Sequence, residues 1–389
     1  MAERPRFYYG WILVGMSFIG MVLIYGVRHS FSVFFPPILD EFGWSRGTTA
    51  IMLSLNVLFY GLVAPVAGNI CDFWKPRRTA ALGIIFLALT TAGCAFASEL
   101  WHFYLLFGVL MPAGTAFCGW PILAPTLTNW FARRRGLAIG LGQMGGGLSF
   151  AYGLFAALVI SQAGWRNAYL VLAGILVSIA LPMYLIFLRY RPEEKNLKAF
   201  GQEDMPPEAG TARANEASYS WTLKNAMRTR QLWLLVVSDL LFWGVGGYMV
   251  TAHQVKFAGD VGYSDLFAAS IYALFGVFST LGMFCGFLSD RIGRENTVLL
   301  ASSLAIGALV ALISVSDTSQ PCLLYVFAVC FGLGNGLFAP TVVAGTADIF
   351  HGKHFGAIAG LLLTGVGLGG AVGPWLGGDI YDVSGSYTS

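Results

Sequence analysis

The chain has 389 residues, of which 56% are hydrophobic and only 11% are charged, and its formal net charge is +3. Soluble domains carry about 25% charged residues, so this composition excludes an ordinary soluble protein, and the scattered basic residues give no support for nucleic-acid binding. Because apolar runs of about twenty residues recur from end to end, the sequence predicts an all-α integral membrane protein.

Eleven membrane spans are predicted, with one polar interruption. Residues 190–230 are charged, rich in Pro, Glu and Ala and poor in large apolar groups, so they predict a linker between an N-terminal half (1–189) and a C-terminal half (231–389). The end of this linker, 219–230, is either a short helix along the membrane surface or a plain tether. The predicted spans are 9–36, 47–70, 79–97, 101–130, 136–162, 166–189, 231–258, 265–288, 296–315, 320–350 and 354–381.

The distribution of basic residues predicts the orientation. Of the 23 lysines and arginines, only Arg28, Arg46, Arg166 and Lys256 lie outside the amino terminus, the linker and every second loop. Positive charge marks the cytoplasmic side of a membrane. The amino terminus, the linker and the 2–3, 4–5, 8–9 and 10–11 loops are therefore predicted to be cytoplasmic.

The first span contains a charged pair, Arg28 and His29, inside an apolar run. At 1.5 Å per residue, Arg28 lies roughly 25 Å from the Trp11 end of this span. A charge at such depth usually faces a protein interior or a watery cavity and marks a substrate or proton route. The alternative is that Arg28 only extends to the outer interface.

The two halves repeat each other. Matching glycines, prolines and acidic residues recur at nearly constant spacing, which predicts a parallel duplication whose axis runs along the membrane normal. Each copy should then have six spans. Because the sequence stops at Ser389, a twelfth span is expected to be missing through truncation or omission. A native eleven-span protein would leave the carboxyl terminus outside.

One motif occurs in each half between the second and third spans. The 8–9 loop reads GFLSDRIGR and the 2–3 loop reads GNICDFWKPRR. The form G-x-x-x-D-R-x-G-R resembles the signature of the major facilitator superfamily, which implies two six-helix halves and a charge latch that gates the cytoplasmic face. The first copy departs from this form at Phe73 and Pro76. The alternative is that the basic residues only set the orientation in the membrane, which would explain the charges but not the paired Gly and Asp. The predicted gating residues are Gly68, Asp72, Arg77, Arg78, Gly286, Asp290, Arg291 and Arg294.

The fifth span opens with NWFARRRGLAIGLGQMGGG. Together with YYGW at 8–11 and FFPPILDEFGWSR at 34–46, it resembles the monocarboxylate-porter branch of that superfamily, especially its bacterial and oxalate/formate antiporter-like members. The resemblance implies a proton-coupled carrier or exchanger of small carboxylates in the cell inner membrane. It also implies that His29, just before the Ser30–Phe35 stretch, takes the branch's basic position. The arginine that many members keep in the eighth span is replaced by Gly282, and its Asp partner by Phe278.

Further polar residues interrupt the apolar spans. Asp239 and His253 lie in the seventh span, Gln143 and Tyr152 in the fifth, and Asn335 in the tenth. Each either contacts substrate or bonds a neighbouring helix. We assign Arg28, His29, Asn335, His253, Gln143 and Tyr152 to substrate binding, and His29 and Asp239 to proton coupling.

The sequence thus predicts a secondary transporter that moves a small organic anion with a proton by alternating access. The alternatives are an anion exchanger, a carrier of a non-carboxylate solute and a membrane receptor or sensor that does not transport. No hydrolase, nucleotide-binding or metal-ligand motif occurs, so neither an enzyme nor a cofactor or metal is predicted. We expect a monomer in the lipid bilayer.

Overall fold

The apolar runs form long helices, because a helix satisfies all of its backbone hydrogen bonds within one segment. The computed structural model describes residues 8–73, 76–132, 134–201, 221–350 and 355–387, and these residues form no β-strand. We number the membrane helices in chain order. They are Gly10–Phe42 (α1), Arg46–Phe73 (α2), Pro76–Cys94 (α3), Leu100–Trp130 (α4), a stretch from Arg135 to Gly164 (α5), a stretch from Gly164 to Phe187 (α6), Arg230–Val261 (α7), Asp265–Phe287 (α8), Arg294–Ile313 (α9), Pro321–Ile349 (α10) and Phe355–Ser384 (α11).

Nine helices of the described residues are long and apolar enough to cross a membrane. One of them, Leu137–Phe187, contains both α5 and α6, which Gly164 separates with a φ of 80° that L side chains rarely adopt. Pro76–Cys94 is a further helix, whose apolar character is reduced by Arg77 and Arg78 in its first turn. The eleven predicted spans therefore correspond to the eleven numbered helices, and the all-α fold class is confirmed.

The first span is longer than predicted. α1 continues through Pro36 and Pro37 and ends at Phe42, where Gly43 adopts a left-handed conformation with a φ of 66°. The predicted end at residue 36 was wrong, because the apolar face continues beyond the proline pair and the helix continues with it. Arg28 accordingly lies close to the middle of a 33-residue helix.

The two halves, α1–α6 and α7–α11, pack against each other through three helix pairs. These are α2 with α11, α5 with α8, and the last turns of α1 with the last turns of α7. We call the end of the bundle where α1 ends and α2 begins the far end, and the end where α6 ends and α7 begins the linker end. Among the described residues, every side-chain hydrogen bond and ion pair between the halves involves His29 or residues on its far side. The structure is therefore closed at the far end.

The start of the linker is folded against the first half. Phe200 pairs its backbone with Trp130 and Ala132, and its ring packs within 5.3 to 6.3 Å of Tyr8, Trp11 and Phe131. Later in the linker, Leu223–Ala226 forms the short helix that was one of the two interpretations, with the Thr222 side chain as its cap. The polar composition of the linker hid this docking, which rests on a few apolar residues, Tyr190, Leu197 and Phe200.

We expect Phe200→Ala to destabilise the protein modestly and to expose the linker. The ring is only partly buried, so its loss should cost about 1–2 kcal/mol of the free energy of unfolding. Thermal unfolding should occur a few degrees lower, and trypsin should cut faster after Lys198, whose carbonyl accepts a hydrogen bond from Tyr8. Unchanged cleavage would show that the aromatic contacts do not hold the linker in place.

Candidate functional site

Arg28 is buried at the interface between the halves, with 2% of its surface exposed. Its Nε donates a hydrogen bond to Oδ1 of Asn56 on α2, and its guanidinium lies 4.6 Å from the centroid of the Tyr60 ring and 6.0 Å from that of Tyr248 on α7. Its Nη2 is buried without a partner among the described residues. A buried cation with an unused donor is costly unless a ligand or water completes it.

The surroundings of Arg28 fix its position. Asn56 donates from Nδ2 to the carbonyl of Phe107 at 2.7 Å, and this carbonyl belongs to a widened π-helical turn of α4, Tyr104–Leu110. Such turns shift the backbone hydrogen bonds of a helix and recur at functional sites. Tyr60 exchanges a hydrogen bond with Tyr25, which in turn accepts one from the Trp120 amide at 3.3 Å. The arginine is thus held by first-half groups while one donor stays unused.

Other buried polar atoms near this interface also lack partners among the described residues. They belong to Tyr152 on α5, Trp243 and Gln254 on α7, and Asn335 on α10. A β-carbon built on Gly247 would lie 3.2 Å from the Trp243 ring and 3.6 Å from Oδ1 of Asn335, and Trp243 contacts Tyr248 edge to face. A β-carbon on Gly26 would lie 2.5 Å from the Tyr152 ring. Asn335 thus lies close to Gly247 and Trp243, and Tyr152 packs on α1 at Gly26, but among the described residues no contact joins either of them to Arg28.

Sequence reasoning missed Trp243 and did not assign Gln254 to the site. Trp243 lies in a second π-helical turn, Leu240–Gly247, and its indole Nε1 is a donor without a partner among the described residues. Both atoms of the Gln254 amide are buried and unpaired within the same described set. The signal available in the sequence was the FWGVGG stretch, in which glycines surround one tryptophan.

The His29 side chain is held by α5, and its ring also lies 5.9 Å from that of Tyr25. Its ring stacks on Phe150 at 4.0 Å, and its Nδ1 lies 2.7 Å from the Ser149 hydroxyl. Since that hydroxyl donates to the Gly146 carbonyl, Nδ1 is the donor to Ser149. The carbonyl of His29 accepts a hydrogen bond from Tyr272 of α8 at 2.6 Å. Adjacent helix residues diverge by about 100°, and the pair therefore serves two different surfaces.

His253 lies near the far end and uses both ring nitrogens. Its Nε2 is 2.8 Å from the carbonyl of Pro374 on α11, and its Nδ1 is 3.0 Å from the hydroxyl of Tyr387. Its ring also meets the edge of Phe35 at 5.3 Å. No free nitrogen remains for a ligand in this state.

A set of contacts that we call the far-end latch joins α2 to the second half. Nη1 of Arg46 donates to Asp260 at 2.5 Å and to the Tyr387 hydroxyl at 3.0 Å. The carboxylate of Asp382 accepts from the backbone amides of Arg46 and Gly47 at 3.0 and 2.7 Å. Burial raises the pKa of Tyr387 to about 12, so its hydroxyl is neutral at physiological pH. Nearby, Lys256 of α7 pairs with Asp40 of α1 at 3.3 Å.

The far-end latch was not predicted. Arg46 appeared only as one of the few basic residues outside the cytoplasmic loops, and Asp382 and Tyr387 only as part of the chain's end. The partners are more than 200 residues apart, and backbone amides carry no sequence signal. Lys256, another of the four basic residues outside the predicted cytoplasmic parts, lies at the far end beside Asp260, at 3.6 Å.

Two predicted residues make no polar contact with the described residues. Asp239 is 7% exposed and lies nine residues before Tyr248 on α7, which separates them by roughly 13 Å along the helix. Gln143 on α5 has an exposed side chain. Neither is placed beside Arg28 by a contact.

The predicted gating residues are described only in part. Arg294 pairs with Asp348 at 2.9 Å and donates to Ser289 at 2.5 Å, while Arg77, Arg78 and Arg291 are exposed. A β-carbon on Gly286 would lie 3.1 Å from Pro340, so this glycine permits close approach of α8 and α10. The side chains of Asp72 and Asp290, together with Gly68, lie outside what the structure describes.

Comparison with known proteins gives one family and consistent relatives. The model of the Major Facilitator Superfamily matches residues 17–374. Monocarboxylate transporter 13 of Bos taurus is 27% identical over 397 residues, covering 100% of this chain and 86% of that protein. Monocarboxylate transporter 11 of Homo sapiens is 28% identical, covering 100% and 80%. The uncharacterized MFS-type transporter YcxA of Bacillus subtilis (strain 168) is 22% identical, covering 100% and 91%.

Solved structures show the same fold. A bacterial homolog to the human lysosomal transporter Spinster, in an inward-facing and unoccupied conformation, aligns with a TM-score of 0.75 at 19% identity, covering 96% of this chain and 83% of that one. The nucleoside transporter NupG aligns with a TM-score of 0.68 at 13% identity, covering 96% and 92%. At these identities the likeness concerns architecture.

Proposed function

Because the chain belongs to the major facilitator superfamily, a family of membrane transporters and not of enzymes, we propose that it carries a small, monocarboxylate-like organic anion by alternating access together with a proton. The substrate would bind between the halves, near the middle of the membrane. No cofactor takes part in this proposal.

The single observation that carries the proposal is the unused donor of Arg28. A guanidinium can hold a carboxylate through two parallel hydrogen bonds, and water is largely excluded around it. With Nε committed to Asn56, the Nη2 atom is the donor that stays available to an anion. Trp243, Tyr152 and Asn335 offer further hydrogen-bonding atoms from both halves, which would let a substrate contact α1, α5, α7 and α10 together.

The position at which many monocarboxylate porters keep an arginine has no room for one here. A β-carbon on Gly282 would lie 2.6 Å from the carbonyl of Leu333 and 2.9 Å from the Cα of Gly336. α8 and α10 are thus in backbone contact where an anchor would project. This supports a site in which Arg28 holds the anion from α1. The likeness to monocarboxylate transporters supports a carboxylate as that anion.

We assign the far end to the outside and the linker end, with the amino terminus, to the cytoplasm, from the positions of the basic residues. The far-end latch then closes the site to the outside, and the predicted Asp72 and Asp290 motifs serve the cytoplasmic gate. His29 and Asp239 stay candidates for the coupled proton. The proposed moving units are the six spans in 1–189 and the spans in 231–389, which the linker 190–230 joins. We propose that the protein works as a monomer in the inner membrane.

Uptake into proteoliposomes tests this function. Purified protein should take up a labelled monocarboxylate faster when the outside is at pH 5.5 and the inside at pH 7.5 than without a gradient. If the protein is instead an anion exchanger, uptake of the labelled anion should require unlabelled anion inside the vesicles and should not depend on the pH gradient. A receptor or sensor would bind the anion without moving it. If the protein binds only neutral or cationic solutes, a carboxylate is not its substrate.

Asp239→Asn separates binding from coupling. We expect the dissociation constant of the anion to change by less than about threefold, since Asp239 contacts neither Arg28 nor its neighbours among the described residues. If Asp239 carries the proton, uptake driven by a pH gradient should fall while binding persists. A loss of binding as large as that expected for Arg28→Ala would instead place Asp239 in the substrate site.

A further inference from the structure

One continuous chain of hydrogen bonds joins the first half to α11 through His253. Nη1 of Arg46 lies 3.0 Å from the Tyr387 hydroxyl, which lies 3.0 Å from Nδ1 of His253. Nε2 of His253 lies 2.8 Å from the carbonyl of Pro374. The imidazole is 4% exposed, so these partners, and not bulk water, determine its protons.

The donor at each link can be assigned. A carbonyl only accepts, so Nε2 of His253 carries a proton and donates to Pro374. A guanidinium only donates, so the Tyr387 oxygen accepts from Arg46 and its own proton goes to Nδ1. Nδ1 is therefore bare, and the closed latch contains a neutral imidazole of one tautomer.

We propose that His253 is a proton-binding site that controls the far-end latch: the latch closes around the neutral imidazole, and a proton taken up at Nδ1 opens it. The proton comes from a hydronium ion on the far side and forms an N–H bond at Nδ1. The Tyr387 hydroxyl then loses its acceptor, and a second positive charge stands one hydroxyl away from Arg46. The inference rests on the proposed function only because it requires the far end to open and close.

The charges around His253 are already committed to other contacts. Asp382 accepts two backbone amides of α2, and Asp260 pairs with Arg46 and Lys256. The Arg46 guanidinium also rests 3.5 Å from the centroid of the Tyr381 ring. The carboxylates therefore cannot turn to an imidazolium without releasing α2. At the far end, the elements around His253 carry the following titratable and charged groups: Asp40 and Glu41 on α1, Arg46 on α2, Lys256 and Asp260 on α7, Asp379, Tyr381 and Asp382 on α11, and Tyr387 beyond α11.

The expected pH dependence follows from proton linkage. The closed state binds one proton fewer at this site than the open state. The ratio of open to closed molecules should then rise as pH falls through the range in which histidine titrates, by at most tenfold per pH unit. Closure of the far end correspondingly releases a proton.

The test measures the far-end distance directly, without substrate. The full chain is spin-labelled at Gln162 and Thr318, exposed far-end positions in different halves, after its native cysteines are replaced, and is studied in nanodiscs by double electron–electron resonance. Between pH 8 and pH 5, the long-distance population should grow. His253→Gln should remove this growth, and Tyr387→Phe should make it shallower, because Nδ1 is then free to bind a proton in the closed state.

His102→Gln is the matched control. His102 also lies at the far end, but its Nδ1 caps the amides of Ser98 and Glu99 within the first half. This variant should keep the wild-type pH dependence. A wild-type distance that does not change with pH, or an unchanged slope in His253→Gln, overturns the proposal. If His253→Gln fails to fold, an unchanged slope in Tyr387→Phe overturns it equally. A failure of the proposed anion transport would appear in binding and uptake and would leave these distances unaffected.

Discussion

Replacing Arg28 by alanine is expected to abolish measurable anion binding. Truncating one partner of a buried, hydrogen-bonded charge pair costs ~2–5 kcal/mol, which raises a dissociation constant by about 30-fold or more. Arg28→Lys should recover only part of the affinity, because an ammonium lacks the planar fork and cannot bond Asn56 and a carboxylate in the same way. Thermal shift with a series of small carboxylates and titration calorimetry measure the change.

Arg166→Ala is the control for the loss of one arginine. Arg166 is an exposed far-end residue that pairs with Glu41 at 2.6 Å, so its removal should leave anion affinity unchanged. Surface ion pairs of this kind contribute little to stability. Anion binding that persists in a folded Arg28→Ala protein would refute the site described above.

Replacing Gly378 by valine is expected to abolish uptake while the protein stays folded and still binds the anion. A β-carbon at this position would lie 2.6 Å from both N and Cα of Gly47, so α11 and α2 would be forced apart at the far end. Close-packed backbones cannot absorb such a group by small adjustments. The transporter should then stay open at the far end, which distance measurements between Gln162 and Thr318 would detect.

Gly360→Val tests the same substitution elsewhere on α11. A β-carbon at Gly360 meets nothing within 4 Å, so this variant should retain most uptake. If Gly378→Val transports at the wild-type rate, backbone contact at Gly47 is not needed for closure of the far end.

The fold followed from the sequence because membrane helices are encoded locally. Apolar runs, basic loops and the repeated Gly and Asp positions gave the eleven spans and the family, and the match over residues 17–374 confirms that resemblance. The errors lie where local rules fail. Pro36 and Pro37, for example, lie inside α1 because the apolar face of the helix continues beyond them.

The candidate site was predictable only as separate residues. Arg28 was identified because a charge inside an apolar run is costly, and that cost does not depend on partners far along the chain. Its neighbours could not be assigned, since the Phe107 carbonyl becomes available through a widened turn of α4 and Trp243 is apolar by composition. Likewise, the chemistry of His253 is determined by Tyr387, 134 residues later.

The contact between Asp382 and α2 has a consequence for comparative work on such transporters. The carboxylate recognises two main-chain amides, and every residue except proline supplies an amide. Substitutions of the Arg46 side chain therefore preserve this recognition, whereas close packing on α11 restricts position 47 to glycine, so natural selection on Asp382 leaves no correlated change in a partner side chain. Covariation between aligned homologues will detect the pairing of Arg46 with Asp260 and overlook this contact beside it, although both hold the same end of the molecule closed.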